Sequence, residues 1–353
     1  MTTLATNPRL PMLEHGPWPG IAVTLWCRLS GASLQMAEPV DIRAADGHAL
    51  GGYVWHRPSD PPRLHPVAII NAATSVRCRY YARFADWLHE QGWDVVSFDY
   101  RGIGESRHGS LRGLEADWID WGQHDFEGVL QYVTRRFPNQ PIDVVGHSAG
   151  GFVIGLAESA HRIRRIFTMG AQYAYWRDYA PQARKAMLLR WHVAMPLLAR
   201  LFGYVPAKRL GWMEDTPKGV ALDWGRMGPR FEGTVRRGRK TPEGKPEAEM
   251  LARRFSQVRA PILALGIEDD PFGTVQALDR LLDYYTRSER HHLRLAPAAI
   301  GKPEIGHFAF FHERFRDTLW PLALNWLRTG EPPATPPGTL TYRPVENLSE
   351  EMQ

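Results

Sequence analysis

From about residue 38 the chain alternates between two hydrophobic patterns. A short continuous apolar run at Val67-Ala68-Ile69-Ile70 has the character of a strand buried on both faces, and further strands are read at Val95 to Phe98, Ile142 to Val145, Ile163 to Met169 and Pro261 to Gly266. Between them the apolar residues fall three and four apart, as in Tyr80, Tyr81, Phe84, Trp87 and Leu88 with Gly92 as the stop, which predicts helices. Further helices are predicted at about Trp118 to Phe137, after Ser148 (Phe152, Val153, Ile154, Leu156, Ala157), over Val275 to Tyr285, and from about Glu313 to Leu327. Two alternating stretches, Val40 to Arg43 and Ala49 to Trp55, flank an Asp46-Gly47 turn and read as an antiparallel hairpin. A short strand at His292 to Leu295 brings the count to eight. Strands alternating with helices imply right-handed crossovers, so the fold class is α/β, a mostly parallel sheet flanked by helices.

The rhythm breaks between residues 173 and 258. This stretch carries a helical pattern (Ala183 to Leu201), many aromatics and a polar loop from Gly238 to Pro246. It reads as a helical cap inserted over the carboxyl ends of the strands, where sites in such sheets form. The expected organisation is an N-terminal arm at 1–37 rich in Pro and Gly, a core of 38–172 and 259–329, the cap at 173–258, and a Pro-rich tail at 330–353. Pattern leaves the order of the tail open.

Composition changes this picture little. Of 353 residues 44% are apolar, enough for a sizeable core. Ile21 to Leu29 is too short to cross a bilayer and holds Arg28. Met1 to Pro19 lacks the basic start and apolar block of a secretion signal. With only Cys27 and Cys78, a disulfide framework is not expected, and a reducing cytoplasmic setting fits. No cofactor or metal is expected, because His291-His292 and His307/His312 lack ligand-like partners.

Charge adds a feature. Residues 161–260 hold 21 Lys+Arg against 8 Asp+Glu, net +13, while the whole chain is +5 and the remainder −8. A basic cap of this kind would steer an anionic substrate or make weak contact with an anionic membrane. Solvated helices with long Arg stems and an exposed loop at Arg236-Arg237-Gly238-Arg239-Lys240 account for the same count. Nucleic acid is not an expected partner, since no reading module accompanies the basic run.

The candidate chemistry centres on Gly146-His147-Ser148-Ala149-Gly150, set between a strand and a helix. The glycines let the chain turn sharply, lifting the Ser148 hydroxyl clear of the sheet. A serine needs a base and a group to orient that base. Asp269 is favoured for the orienting acid, with Asp270 second, because Glu268-Asp269-Asp270 follows a strand end. His307 lies before the last helix, where the base belongs. His147 reads as a hydrogen-bonding residue under the turn. The backbone N–H groups of Ala149 and Ala73 are the candidate oxyanion donors. Tyr173, Tyr175, Trp176, Tyr179, Trp191, Trp212 and Trp224 are candidates for an apolar acyl pocket or for packing of the cap.

These motifs, with Asp99-Tyr100-Arg101-Gly102-Ile103-Gly104-Glu105-Ser106 and Ile305-Gly306-His307-Phe308, resemble the α/β-hydrolase superfamily over about Pro39 to Leu327, in its serine aminopeptidase and monoglyceride-lipase-like branch. The resemblance implies an eight-stranded α/β-hydrolase sheet and a Ser148–His307–Asp269 triad with an Ala73/Ala149 oxyanion hole. One departure stands out: many members carry His-Gly where this chain has Asn71-Ala72. The expected activity is a serine hydrolase acting on a small ester or acyl substrate. Peptidase, amidase or thioesterase chemistry would use the same triad. A non-catalytic binding protein of the same fold is the alternative from another class.

Overall fold

The computed structural model describes residues 37–57 and 65–346. The proposed arm (apart from Ala37), Cys27 and the apolar stretch at 21–29 fall outside these residues. Strands β1 (Glu38–Arg43), β2 (Ala49–Trp55), β3 (Val67–Asn71), β4 (Asp94–Phe98), β5 (Ile142–His147), β6 (Ile163–Met169), β9 (Ile262–Ile267), β10 (Arg290–Leu295) and β11 (Thr339–Arg343) form one sheet, ordered β1-β2-β4-β3-β5-β6-β9-β10-β11. The six strands from β4 to β10 are mutually parallel. β1, β2 and β11 join antiparallel at the edges. Every residue of β3, β4 and β5 is buried, as expected of mostly apolar strands with helices over both faces.

The sheet has nine strands rather than eight, because the Pro-rich tail supplies one. Residues 339–343 pair in register with Arg290 to Arg294. Arg290 reaches across to the Pro344 carbonyl at 2.5 Å and Glu346 at 3.0 Å, while Arg343 pairs with Asp279 and Asp283. The strand escaped prediction because it is short, lies between prolines, and carries mostly exposed or polar residues.

The helices fall largely where periodicity places them. Ala82–Glu90 forms α1. Trp118–Asp120, a π turn at Trp121–Phe126 and Glu127–Arg136 run on as α2. Ala149–Ile154 is α3. The last helix differs: it spans Trp320–Thr329, after a 3-10 turn at Glu313–Phe315. Pro321 is the reason. It has no N–H to donate and suits a first turn, not the middle of a helix starting at 313.

Between β6 and β9 lie α4 (Arg184–Met187, a π turn Leu188–Ala194, then Met195–Phe202), α5 (Lys218–Arg226), α6 (Glu247–Phe255) and a two-stranded ladder of β7 (Tyr204–Val205) and β8 (Thr216–Pro217). Polar contacts fasten this segment to the loops beyond β3 and β4. Glu214 N–H donates to the Ser75 carbonyl at 3.0 Å, and Thr216 Oγ1 meets Ser75 Oγ at 2.7 Å. Arg236, first of the basic run, turns inward to Asp117 at 2.8 Å and Asp120 at 2.9 Å. That residue is an internal ion pair, whereas Arg237, Arg239 and Lys240 are exposed.

Candidate active site

Ser148 sits at the tip of the β5–α3 turn with φ 53° and ψ −123°, a conformation strained for a side chain of this kind. The flanking glycines are required by contact. A Cβ on Gly146 would lie 2.8 Å from the Gly151 backbone, and one on Gly150 would lie 2.2 Å from the Asn71 carbonyl. The Ser148 N–H donates to the Met169 carbonyl at 3.0 Å, pinning the turn to the end of β6. Ala149 is the first residue of α3, so its N–H has no intrahelical acceptor and points where negative charge is favoured.

His307 Nδ1 lies 2.6 Å from Asp270 Oδ2, both groups buried. Asp270 Oδ1 accepts from the N–H groups of Phe272 (2.8 Å) and Gly273 (2.9 Å), so the carboxylate is fixed in place. This corrects the preference for Asp269. The exposed Asp269 carboxylate instead accepts from the N–H groups of Ile305 (2.9 Å) and Gly306 (2.8 Å), holding the loop that carries His307. Successive residues past β9 point opposite ways, so one carboxylate meets the ring and its neighbour braces the ring's loop. The His307–Asp270 pair packs on Gly170, where a Cβ would lie 2.9 Å from Asp270 Oδ2 and 3.0 Å from His307 Nδ1. Gly170 follows Met169, the residue that anchors Ser148, so the imidazole borders the turn.

His147 lies beneath. Its Nε2 is 2.9 Å from the His307 carbonyl and its Nδ1 is 2.8 Å from the Tyr81 hydroxyl. A carbonyl only accepts, so Nε2 carries the proton. Burial, followed by the nearby His307, holds the His147 pKa well below 6.5, so the ring is neutral and Nδ1 accepts from Tyr81. Tyr81 in turn accepts from the Ala73 N–H at 2.8 Å. Donor and acceptor are thereby fixed at every link from the end of β3 to the His307 loop.

The same chain corrects the expectation for Ala73, whose N–H is engaged by Tyr81. The next residue, Thr74, borders the cleft beside Ser148 and Ala149, just before the left-handed Ser75 (φ 56°). Among the described residues the Thr74 N–H has no acceptor. The Asn71 departure also has a structural role: its Nδ2 donates to the Gly150 carbonyl at 3.2 Å, tying β3 to the serine turn. Cys78 is buried and its thiol pKa is pushed up, chiefly by burial, which fits an inert core thiol.

A narrow cleft opens on Ser148. Its walls include Trp118, Phe152, Trp224 and Met227, with Thr74 and Gln172 supplying polar groups. Of the cap aromatics singled out from sequence, Trp224 lines the cleft. Tyr179 and Trp191 brace it from behind, through the Trp224 Nε1 to Tyr179 hydroxyl bond (2.9 Å) and a Trp191–Trp224 stack at 4.9 Å. Sequence reasoning missed Gln172. Its Oε1 accepts from Ser148 Oγ at 3.3 Å, the hydroxyl's one hydrogen bond among the described residues. His307 is therefore not bonded to Ser148 in this arrangement. Phe152, one helical turn after Ser148, was the wall residue whose position the serine itself could have signalled.

The family described as serine aminopeptidase, S33, matches residues 72–224, a span that includes Ser148 but stops before Asp270 and His307. No curated protein sequence matches the chain. Among solved structures, an esterase from Exiguobacterium antarcticum is 13% identical, with 83% of this chain and 100% of that chain covered at a TM-score of 0.50. DcsB in complex with its substrate analogue is 16% identical over 83% and 99%, at 0.51. Est1E from Butyrivibrio proteoclasticus, with ferulic acid bound, is 15% identical over 82% and 100%, at 0.50. Over residues 72–224 the chain is thus similar to the serine aminopeptidase family, and its fold is that of an α/β hydrolase.

Proposed function

We propose that the protein is a serine hydrolase that cleaves carboxylic esters of compact, apolar acyl groups. The observation that carries the reading is a serine on a strained glycine turn, bordered by a histidine held 2.6 Å from a fixed, buried carboxylate. In the proposed mechanism the Ser148 hydroxyl leaves Gln172 and turns to His307 Nε2, which takes its proton as Oγ attacks the acyl carbon. Asp270 keeps the other proton on Nδ1 and stabilises the imidazolium. The N–H groups of Ala149 and Thr74 receive the developing oxyanion. Imidazolium then returns the proton to the departing alcohol, and water attacks the acyl-enzyme by the same relay.

The aromatic walls and the limited space of the cleft favour a short or flat acyl group over an extended chain. The Ser148–Gln172 bond favours a second reading, a binding protein whose serine is kept from its base. A fluorophosphonate probe separates the two. Labelling of wild type but not Ser148→Ala supports the hydrolase; folded wild type that stays unlabelled supports binding alone.

A further inference from the structure

Helix α4 is apolar on two opposite sides. Its inner side, Met187, Trp191, Met195 and Ala199, is buried against the rest of the inserted segment. Its outer side repeats every four residues as Leu189, Val193, Leu197 and Leu201, which are 63, 50, 54 and 68% exposed. A helix resting on a globular core ordinarily turns polar side chains to water. The π turn at Leu188–Ala194 keeps this outer row aligned, offsetting the drift of about 40° per four residues of a regular α-helix. Phe202 and Leu210, 44 and 45% exposed, follow the row in the chain.

The charges around this row have one sign. From Tyr179 to Met213 the chain contains no Asp or Glu, but holds Arg184, Lys185, Arg190, Arg200, Lys208 and Arg209. Exposed Lys185 stands one turn before Leu189, and exposed Arg200 sits beside Leu201, so both ends of the row are cationic. We propose that this face docks the protein on a membrane surface containing anionic lipid. The aliphatic row enters the interfacial layer, and Lys185 and Arg200, with Arg209, meet lipid phosphates, whereas Lys208 is paired with Glu214 at 3.4 Å. Among the described residues no helix is long and apolar enough to cross a membrane, so the contact is parallel to the surface. A second copy of the chain fits this face less well. Antiparallel rows would set Lys185 against Arg200, parallel rows would set each cation against itself, and neither supplies a neutralising acid.

This inference does not depend on the proposed ester chemistry, and its test reads binding alone. Purified full-length protein is floated with phosphatidylcholine vesicles, with and without phosphatidylglycerol. Wild type is expected to float only with the anionic vesicles and to be released by about 0.5 M salt. Leu189→Ser/Leu197→Ser/Leu201→Ser and Lys185→Glu/Arg200→Glu are each expected to lower the bound fraction about tenfold or more, with unchanged circular dichroism and melting temperature. The proposal is overturned if wild type stays with the supernatant, floats equally with neutral vesicles, or binds no better than the variants. It is also overturned if light scattering finds a wild-type dimer that the serine variant dissociates.

Discussion

Exchanging Asp270 for Asn tests the proposed relay most sharply, because the surroundings dictate how the new amide must sit. Two backbone donors, Phe272 N–H at 2.8 Å and Gly273 N–H at 2.9 Å, point at Oδ1, so an Asn there keeps its oxygen toward them. Its NH2 then faces His307 Nδ1, in place of the carboxylate oxygen now 2.6 Å away. A neutral ring beside that donor must leave Nδ1 bare and carry its proton on Nε2, the atom that should accept from Ser148. Wrong-tautomer loss of this kind costs on the order of 10³- to 10⁴-fold in kcat, or about 4–5.5 kcal/mol of barrier. Asp269→Asn disturbs only the bracing of the loop. It replaces one of two acceptor oxygens and is expected to cost about 1–2 kcal/mol of stability, with kcat within about tenfold of wild type. Both variants are assayed by p-nitrophenyl acetate turnover and by the rate of fluorophosphonate labelling, with melting curves as the fold control. If Asp270→Asn keeps more than a tenth of the activity, or Asp269→Asn loses more than Asp270→Asn, the assignment of the acid is wrong.

Three further outcomes follow from other contacts. Gln172→Glu sets a negative charge next to the developing oxyanion and is expected to lower kcat about 10²-fold without unfolding, read by the same turnover assay. Arg236→Ala strands Asp117 and Asp120 beside Asp223, whose pKa is already pushed up to about 8 by burial and by Asp117; denaturant titration should show a loss of about 3 kcal/mol, while Arg237→Glu on the exposed loop stays within about 0.5. His147 is neutral in the folded chain, whereas an unfolded-state histidine binds a proton below about 6.5, so this group's contribution to stability falls as pH drops through that value. Between about pH 7.5 and 5, wild type should lose on the order of 1–2 kcal/mol more stability than His147→Gln, and equal losses would refute the neutral assignment.

The parts of the fold and site that were legible in the sequence are those where local chemistry leaves one solution. The Ser148 turn reads directly because glycine is forced at 146 and 150 by contacts of 2.8 and 2.2 Å. The central strands read directly because burial on both faces makes them mostly apolar. The choice between Asp269 and Asp270 was not legible, since it is made by backbone donors at 305 and 306 on one side and at 272 and 273 on the other, far apart in the chain. The engagement of the Ala73 N–H depends on a tyrosine hydroxyl eight residues away, which no local pattern encodes. Gln172 lies in the loop after β6, where no periodicity singles a residue out. The outer row of α4 was missed for a different reason: apolar residues on both sides of a helix read as a buried helix, and the pattern does not say which side water reaches.

The tail strand β11 carries a practical consequence for anyone handling this protein. By occupying the open side of β10 it quenches a row of backbone donors and acceptors that would otherwise recruit a neighbouring molecule. Shortening the chain at residue 330, a natural choice for a segment so rich in proline, would strip that guard and invite aggregation. An affinity tag belongs beyond Glu346, where the last residue that Arg290 holds has already been passed.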